Sequence, residues 1–559
     1  MTKPPPLRLD PAPPRGLLRF LWGAGGLWRD PALLMALGAS LSRFALIFAV
    51  NETARRAGGG AGGGPVVLLV AAAMLFLWLS YLSQYRSHVV ISRVQTLLRG
   101  RMSALLLRAD IDFLLSREHG QVYDAMTSDI TDLSEAIVWL LRAAEAVIVV
   151  AIAIPYLFYI SYAAGLATLA AIGVGAVGFV LLDPPARRHA RVARDANGEF
   201  CGRVEDMLHG WQELRLNAPR AQALEGEAQS VIDRVRVARL RSERLFSGAT
   251  TVSQSAMVLL LCFVVVLVPL MQGAGADMMF QVLTVVLLTY GPIEALFNAL
   301  PRISVGRTAY DRICRVEAAL RAAQSDADAP DTAPDEFDSI ALHGVTADLG
   351  QGGEGFRLGP VDLQFHPGET VFITGGNGSG KTTLMALLTG LRRPDTGAVI
   401  WDGAPVDDAR APAYRALFSG VFSDFHLFDR AYGMTGAECA ALEARIASLG
   451  LAQKVDLIAG RFSTLGLSAG QKRRLALAVA LAEARPILVL DEYAADQDPA
   501  SRAFFYDVLL PEMAASGKLV IAITHDDHQF GKCDRLVRMD AGQVTSVIAQ
   551  PREKGQTHD

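Results

Sequence analysis

The chain has 559 residues, a formal net charge of -4 and 51% hydrophobic residues. This length allows more than one domain, and the lack of a basic excess argues against a nucleic-acid-binding surface. The hydrophobic excess lies before about residue 305, whereas the remainder alternates as in a globular domain. The 5 cysteines are scattered without metal-ligand spacing, which predicts free thiols.

The N-terminal stretch MTKPPPLRLDPAPPRG is proline-rich and lacks the apolar core of a signal peptide, which predicts a flexible segment. We expect residues 1–30 to form an N-terminal lead on the cytoplasmic side. Residues 31–323 follow as a region dominated by long apolar blocks, which we expect to be a transmembrane domain.

The apolar blocks have the length of membrane-spanning helices. They are Pro31–Val50, Pro65–Leu82, Glu145–Leu182, Ser255–Met271 and Met278–Leu300. A spanning helix needs about 20 apolar residues, and the block from Glu145 has about twice that length. Splitting it at a tight turn near Ser161–Ala163 predicts six spanning helices in all. A buried helix of a soluble protein would explain any single block, but not so many at this length.

Lysine and arginine predict the orientation of these helices. Basic residues are dense in Arg86–Arg117 and Ala186–Arg244, whereas the turn Gln272–Asp277 has none. Arg55 and Arg56 are exceptions, because they lie in the first outer loop, whereas basic residues are normally enriched on the cytoplasmic side. We expect both termini to face the cytoplasm, with two long helical excursions on that side.

Each excursion contains a short amphipathic stretch. These stretches are Asp112–Val122 and Glu205–Asn217. Either they pack on a neighbouring cytoplasmic domain or they are solvated helix surface.

Several polar side chains fall at membrane depth. Arg142 and Glu145 flank the start of the third spanning helix, while Glu294 and Asn298 share one face of the sixth, with Tyr290 one turn before. An acid in hydrocarbon is costly, so it should face a cavity or a partner. A polar substrate cavity and a structural pair both remain open.

The acidic, proline-bearing segment 324–338 is predicted to be a linker to a nucleotide-binding domain over residues 339–550, followed by a tail, 551–559. In that domain a strand-like segment, Val371–Thr374, runs into GGNGSGKT and then a helix, which is the setting of a P-loop. Backbone N–H groups of such a loop bind phosphate oxygens, Lys381 reaches the β- and γ-phosphates, and the Thr382 hydroxyl binds Mg²⁺. The predicted ATP-binding residues are Gly375, Gly376, Asn377, Gly378, Ser379, Gly380, Lys381, Thr382 and Thr383.

A second chemical motif ends the apolar strand ILVLDE, Ile487–Glu492. Asp491 suits the magnesium shell, and Glu492 would polarise the attacking water as a general base. Without the P-loop, two acids capping a strand would be the simpler explanation.

Upstream of that strand, LSAGQ (Leu467–Gln471) opens a helix, and Ser468 and Gly470 with the helix N-terminus form a second anion-binding surface. With the P-loop and the acidic strand, this combination resembles the ATP-binding-cassette family, whose signature motif is usually LSGGQ; Ala469 replaces one glycine here. The resemblance implies that Ser468, Ala469, Gly470 and Gln471 complete the ATP site of another subunit. One chain carries one membrane half and one cassette, so a homodimer is implied.

Further family elements follow in the expected order. Asp498 matches the aspartate of the D-loop, and His525 matches the switch histidine that contacts the γ-phosphate. The position of the family's adenine-stacking aromatic is matched by Leu349, with Phe356 as a possible replacement surface. ATP and Mg²⁺ are the implied cofactors.

Within this family the chain is similar to exporters of cyclic peptides, siderophore precursors and peptide antibiotics. The resemblance is carried by GWQELRLNAPR, FRLGPVDLQF, FSGVFSDFHLFD and LDEYAADQDP. In that subgroup a serine, here Ser423, commonly replaces the family's glutamine. The Ser423 hydroxyl could contact the metal ion through a bridging water, or Asp424 beside it could take part in the metal shell. The open alternative is that the site tolerates the loss of the glutamine and the segment serves mainly as a hinge to the membrane domain. The implied fold is an α-helical six-span transmembrane domain fused to an α/β P-loop ATP-binding cassette, the type IV exporter architecture, in a bacterial inner membrane.

The resemblance implies an ATP-driven exporter of peptide-type cargo that works by alternating access. The open alternatives are a lipid flippase or multidrug exporter, a siderophore importer, and a non-transporting ATP-driven regulator. An intact catalytic set argues against the regulator.

Overall fold

A computed structural model describes residues 16–23, 30–57, 64–109, 113, 119–267, 276–323, 334, 336–349 and 355–550. Several predicted segments lie wholly or mostly outside these residues: the lead before Gly16, the tail after Gln550, most of the linker 324–338, most of Asp112–Val122 and the turn Gln272–Asp277. Apart from the segment Arg108–Ser116, which is not part of the first unit, the chain divides into two compact units that separate between Ala322 and Ala323.

The first unit is helical. Its helices are α1 (Leu17–Trp22), α2 (Ala32–Ala57), α3 (Gly64–Leu106), α4 (His119–Asp124), α5 (Ile130–Ile160), α6 (Tyr162–His209), α7 (Trp211–Leu216), α8 (Ala218–Cys262) and α9 (Ala276–Ala322). Among the described residues, 6 helices are long and apolar enough to cross a membrane, as predicted. They are α2, α3, α5, α6, α8 and α9.

The tight turn predicted inside the long apolar block is confirmed. Helix α5 ends at Ile160, α6 begins at Tyr162, and the Ser161 hydroxyl accepts a hydrogen bond from the Ala164 N–H at 3.3 Å. A serine in this position satisfies a backbone donor that the first helical turn leaves unpaired. The expected position of Arg142 and Glu145 at a helix start is wrong, because α5 begins at Ile130 and continues through the polar segment before the apolar block.

The helical unit keeps large apolar side chains on its outside. Leu34, Val67 and Leu181 are each more than two-thirds exposed, as expected for helices whose outer faces contact lipid. A smaller internal core of α2, α5, α6, α8 and α9 includes Ile47 and Leu157.

Helices α5 and α9 approach closely. A Cβ added at Gly306 of α9 would lie 2.0 Å from the Cβ of Ala136 of α5. Arg302 pairs with Glu135 at 2.8 Å, and Arg312 pairs with Asp129. Glycine therefore permits the contact, and the ion pairs flank it along the helices.

The second unit is α/β. Its strands are β1 (Ile340–Leu349), β2 (Phe356–Phe365), β3 (Thr370–Gly375), β4 (Thr396–Trp401), β5 (Ala404–Pro405), β6 (Phe418–Val421), β7 (Leu457–Ile458), β8 (Arg461–Phe462), β9 (Ile487–Asp491), β10 (Leu519–Ile523), β11 (Arg535–Asp540) and β12 (Gln543–Ala549). Its helices are α10 (Lys381–Leu388), α11 (Ala411–Arg415), α12 (Gly436–Ser448), α13 (Ala469–Ala482), α14 (Pro499–Phe504) and α15 (Leu510–Ala515).

One sheet runs in the order β12-β11-β3-β10-β9-β6, with parallel pairing from β11 to β6. Strand β9 is buried on both faces: Leu488 and Leu490 pack with α12 and α13, whereas Ile487 and Val489 pack with the β1–β2 layer and α10. Continuous apolar runs are typical of such doubly covered parallel strands. A separate sheet has the order β2-β1-β4-β5.

We expect Gly306→Ala to destabilise the helical unit by about 1–3 kcal/mol, because the added methyl group overpacks the α5–α9 contact. A lower thermal midpoint of the purified protein would show this. Gly198→Ala in α6, where an added Cβ meets no atom within 4 Å, is the matched control and should leave the midpoint unchanged or raise it. Equal midpoints for the two variants would contradict the close contact.

Candidate functional site

The predicted nucleotide-site residues follow the carboxyl ends of neighbouring parallel strands. The P-loop follows β3, His525 lies two residues beyond β10, Asp491 ends β9, and Ser423 lies two residues beyond β6. Because these strands pair in the order β3-β10-β9-β6, residues far apart in the chain share one sheet edge. Ligands of open α/β sheets bind at such an edge.

The P-loop has the backbone that close approach to a phosphate needs. Gly375, Gly378 and Gly380 have φ values of 157°, 78° and 97°. A Cβ at Gly375 would lie 2.2 Å from the Met539 carbonyl oxygen, so only glycine fits there. The buried Lys381 donates to the carbonyl oxygens of Gly375 at 2.9 Å and Gly376 at 3.0 Å, which keeps its ammonium group inside the loop.

Other members of the predicted phosphate-binding set have less contact with the protein. Gly376, Asn377 and Gly378 are exposed at the loop surface, and Thr382 is exposed at the first turn of α10, beside the half-buried Thr383. Backbone groups and a hydroxyl on this surface are accessible to a bound phosphate and its metal ion.

Two buried polar atoms at this edge have no hydrogen-bond partner among the described residues. They are Oδ2 of Asp491 and Oγ of Ser379. Buried polar atoms normally have partners, and an exception needs an explanation such as a bound ion. With the glycine loop and Lys381, these atoms fit a nucleotide phosphate with Mg²⁺.

Ser423 contacts Asp491. Burial raises the pKa of the Asp491 carboxyl group, whereas the hydroxyl and the backbone N–H of Ser423 act to lower that pKa. Both groups therefore stabilise the charged form that a metal ligand needs. Asp424, next in the chain, is exposed.

Glu492 and His525 meet at this edge. His525 Nε2 lies 3.2 Å from Glu492 Oε1, and both side chains are partly exposed. Glu492 has a φ of 52°, in the left-handed region that a non-glycine residue rarely adopts. Such strain is concentrated at functional sites, where surrounding contacts must hold it.

The signature segment caps its own helix. The Ser468 hydroxyl accepts from the Gln471 N–H at 3.4 Å, and the Gln471 side chain accepts from the Ser468 N–H at 3.1 Å. This reciprocal capping fixes the start of α13, where Ala469 is the first helical residue. A Cβ at Gly470 would lie 2.7 Å from the Asp496 carbonyl oxygen, so the signature segment packs on the loop after β9.

Asp498 caps the following helix, α14. Its carboxylate accepts from the Ser501 N–H at 2.9 Å and the Ser501 hydroxyl at 2.8 Å. These hydrogen bonds hold the pKa of Asp498 below its usual value, so the side chain is anionic. Its predicted D-loop role stays a prediction.

The two candidates for the adenine contact have different outcomes. The side chain of Leu349 lies outside what the structure describes. Phe356 packs against the core, and its ring edge lies beside the P-loop: a Cβ added at Gly380 would be 2.9 Å from its Cζ atom. Phe356 therefore supports the loop from the protein side, and its predicted stacking role stays untested.

The membrane acids of the first unit have different partners. Ser83 donates to the Glu145 carboxylate, and the positive charges of Arg43 and Arg142 act on that carboxylate. Gln254 donates to Glu294 at 3.4 Å. The predicted cargo cavity therefore stays a prediction, with Glu145 held in a polar contact between helices.

The remaining candidates for that cavity lie on α9. Tyr290 packs against the internal core, and Asn298, two turns further along, is half-buried.

Two residues near Glu492 and His525 were not predicted from the sequence. Arg473 of α13 donates to the Glu492 carbonyl oxygen at 2.5 Å. The buried Tyr506 hydroxyl lies 2.9 Å from Thr524 Oγ1 and donates to Asp526 at 3.1 Å, so it holds both neighbours of His525. Each contact joins segments distant in sequence, and Arg473 lies in a run of basic residues, Lys472–Arg474, so no local pattern singles it out.

Residues 358–495 match the family described as ABC transporter, and residues 39–292 match the ABC transporter transmembrane region. The chain is 31% identical over 552 residues to the ATP-binding protein SyrD of Pseudomonas syringae pv. syringae, covering 96% of this chain and 97% of that protein. It is 29% identical over 406 residues to the mycobactin import ATP-binding/permease protein IrtB of Mycolicibacterium thermoresistibile, covering 69% and 68% of the two chains. The structure of a bacterial Atm1-family ABC exporter with ATP bound has the same fold, with a TM-score of 0.74 at 20% identity over 93% of this chain and 94% of that chain.

We expect Ser423→Ala to raise the Mg²⁺ concentration needed for half-maximal ATPase activity by about tenfold, because residues that orient metal ligands contribute on this scale. Magnesium titration of ATPase activity at saturating ATP would measure the shift. Ser516→Ala, which removes a hydroxyl that donates to Met513, is the control. If Ser423→Ala leaves both the Mg²⁺ dependence and the stimulation by cargo unchanged, the Ser423 hydroxyl contributes neither to metal binding nor to coupling.

Proposed function

Because the chain belongs to the ABC transporters, with the transmembrane region and the ATP-binding domain of that family on one polypeptide, we propose that it is a homodimeric exporter. Its proposed cargo is an amphipathic peptide-type molecule: a cyclic or lasso peptide, a lipopeptide or a siderophore precursor. It would move this cargo out of the cytoplasm across the bacterial inner membrane by alternating access.

Membership of the family makes the chain a multi-pass membrane protein that binds ATP and couples ATPase activity to transport. It confirms the predicted resemblance, and with the shared fold it confirms the predicted exporter architecture. The roles of individual residues, the dimer, the direction and the cargo are proposals.

The convergence of P-loop, acidic strand and His525 on one sheet edge supports the proposed residue roles. Lys381 and the P-loop N–H groups would bind the β- and γ-phosphates. Thr382 and Asp491 would hold Mg²⁺, which neutralises phosphate charge during hydrolysis. Glu492 would polarise the attacking water, and His525, already 3.2 Å from its carboxylate, would contact the γ-phosphate and orient the base.

The chemistry of the signature segment supports the proposed dimer. Ser468 lies at the N-terminus of a 14-residue helix, a position that favours an anion. In the family arrangement that segment meets the ATP held by the P-loop of the other subunit. Two copies of this chain would thus form two equivalent composite sites.

Alternating access would couple these sites to the helices. ATP held between two cassettes favours their closed arrangement, and hydrolysis resets it. The cytoplasmic stretches Asp112–Val122 and Glu205–Asn217 are the proposed transmitters of this movement. In the described part, α7 exposes Trp211 and Leu216, with 58% and 89% of their surfaces accessible, as expected of a docking element.

The peptide-type cargo rests on the subgroup resemblance of the four quoted stretches. The flippase or multidrug alternative shares the same architecture. IrtB is named as an importer, so the direction of transport by this chain must be measured.

We expect Glu492→Gln to bind ATP but hydrolyse it at least about 100-fold more slowly, because the general base is lost. Retained nucleotide in a cross-linkable closed dimer would accompany the loss of turnover. His528→Gln, a polar substitution in the helical turn after β10, is the control for the histidine-containing loop and should retain turnover. Near wild-type hydrolysis by Glu492→Gln would refute the proposed base.

We expect a peptide-type cargo to stimulate the ATPase in proteoliposomes and to accumulate on the side opposite the cassettes. A panel of cyclic peptides, lipopeptides, siderophore precursors and lipids, with Glu492→Gln as the inactive control, would test this. Stimulation by lipid alone would favour the flippase, and accumulation on the cassette side would favour import.

A further inference from the structure

Arg473 connects the signature helix to the end of the acidic strand. Its side chain, only 12% exposed, leaves the first turns of α13 and reaches two groups after β9. Nη1 donates to the Glu492 carbonyl oxygen at 2.5 Å, and Nη2 lies 3.3 Å from Asp496 Oδ2. A planar guanidinium group can make both contacts at once.

The carbonyl contact acts on an unusual backbone conformation. Glu492 has φ 52° and ψ 34°, a region that disfavours a residue with a Cβ. Its N–H donates to the Ile523 carbonyl oxygen at 3.0 Å. The peptide groups on both sides of the Glu492 Cα are therefore held. The first is bound by β10, and the carbonyl group of the second accepts from Arg473 and, at 3.2 Å, from the Ala495 N–H.

This backbone conformation decides where the carboxylate lies. With both peptide groups held, the Glu492 side chain reaches His525 at 3.2 Å. Without Arg473 the Glu492 carbonyl group would keep only the longer hydrogen bond from the Ala495 N–H. Glu492 could then relax toward an ordinary φ, which would turn its side chain away from that position. A displacement of about 1 Å at a reacting group can cost about 100-fold in rate.

The same region is tied to the signature segment at a second point. Gln497 is 5% exposed and its Nε2 donates to the Gly470 carbonyl oxygen at 3.2 Å. If the start of α13 shifted, Arg473 would shift with it, and the Gln497–Gly470 hydrogen bond would pull the loop after β9 in the same direction. The neighbouring Arg474 does not share this contact, since it donates to the Leu449 carbonyl oxygen at 3.4 Å.

We infer that Arg473 is a positioning residue for ATP hydrolysis: it holds the backbone of Glu492 in the catalytic conformation and links that residue to the signature helix. The inference rests on the proposed role of Glu492. In the proposed dimer, the helix that contacts one ATP would thereby set the base that acts on the other.

The test compares Arg473→Gln and Arg473→Lys in the full-length protein reconstituted in lipid. We expect Arg473→Gln to lower kcat by about 10- to 100-fold and to change KM for ATP by less than about twofold. Arg473→Lys keeps a charged donor but cannot make both contacts of the planar guanidinium group at once. Its kcat should therefore lie between those of Arg473→Gln and the wild type. Binding of a fluorescent ATP analogue should match wild type in both variants.

Arg535→Gln is the matched control. Arg535 is similarly buried, at 18% exposure, and pairs with Glu369 at 2.8 Å. It lies beside Val371, near the start of β3 and away from the P-loop. This variant should lower the thermal midpoint without lowering kcat of the folded protein.

Two results would overturn the inference. One is an unchanged kcat in Arg473→Gln, and the other is an equal loss of kcat in Arg473→Gln and Arg535→Gln, which would show that lower stability alone reduces turnover. A wild-type protein without ATPase activity, or an active Glu492→Gln variant, would instead refute the proposed function. The two failures are therefore distinguishable.

Discussion

The parallel pairing of β3, β10, β9 and β6 is the constraint on which the nucleotide site depends. It brings the P-loop, the loop of His525, the two acids and Ser423 to one sheet edge, although they span more than a hundred residues of sequence. The pairing is itself stabilised by apolar packing on both faces of β9 and β10. Burial of those strands therefore positions the chemistry at their ends.

The site contains strain and unpaired polar atoms before any ligand is considered. Glu492 has a left-handed backbone, and Asp491 and Ser379 each bury an atom without a partner among the described residues. Both features cost stability in the protein alone. A nucleotide phosphate and its metal ion would satisfy the polar atoms, so part of this cost would be recovered on binding.

The helical unit follows a different rule, since its large apolar side chains lie outside and its charged side chains find partners between helices. Glu145 contacts Ser83, Arg312 pairs with Asp129, and Arg101 pairs with Glu317 at 2.6 Å. Such contacts join helices that lipid alone would not hold together. Cargo contacts must use polar groups that this internal pairing leaves accessible.

The sequence by itself determined the spanning helices, the turn at Ser161, the P-loop, the acidic strand and the family, because each is a local pattern of period, length or spacing. Only the tertiary structure showed that Ser423 contacts Asp491 and that Arg473 holds Glu492. Both contacts join segments whose spacing along the chain carries no signal. They arise because strand order and the packing of α13 determine which distant residues become neighbours. Strand order and helix packing depend in turn on apolar contacts throughout the buried core, which no short segment of sequence specifies.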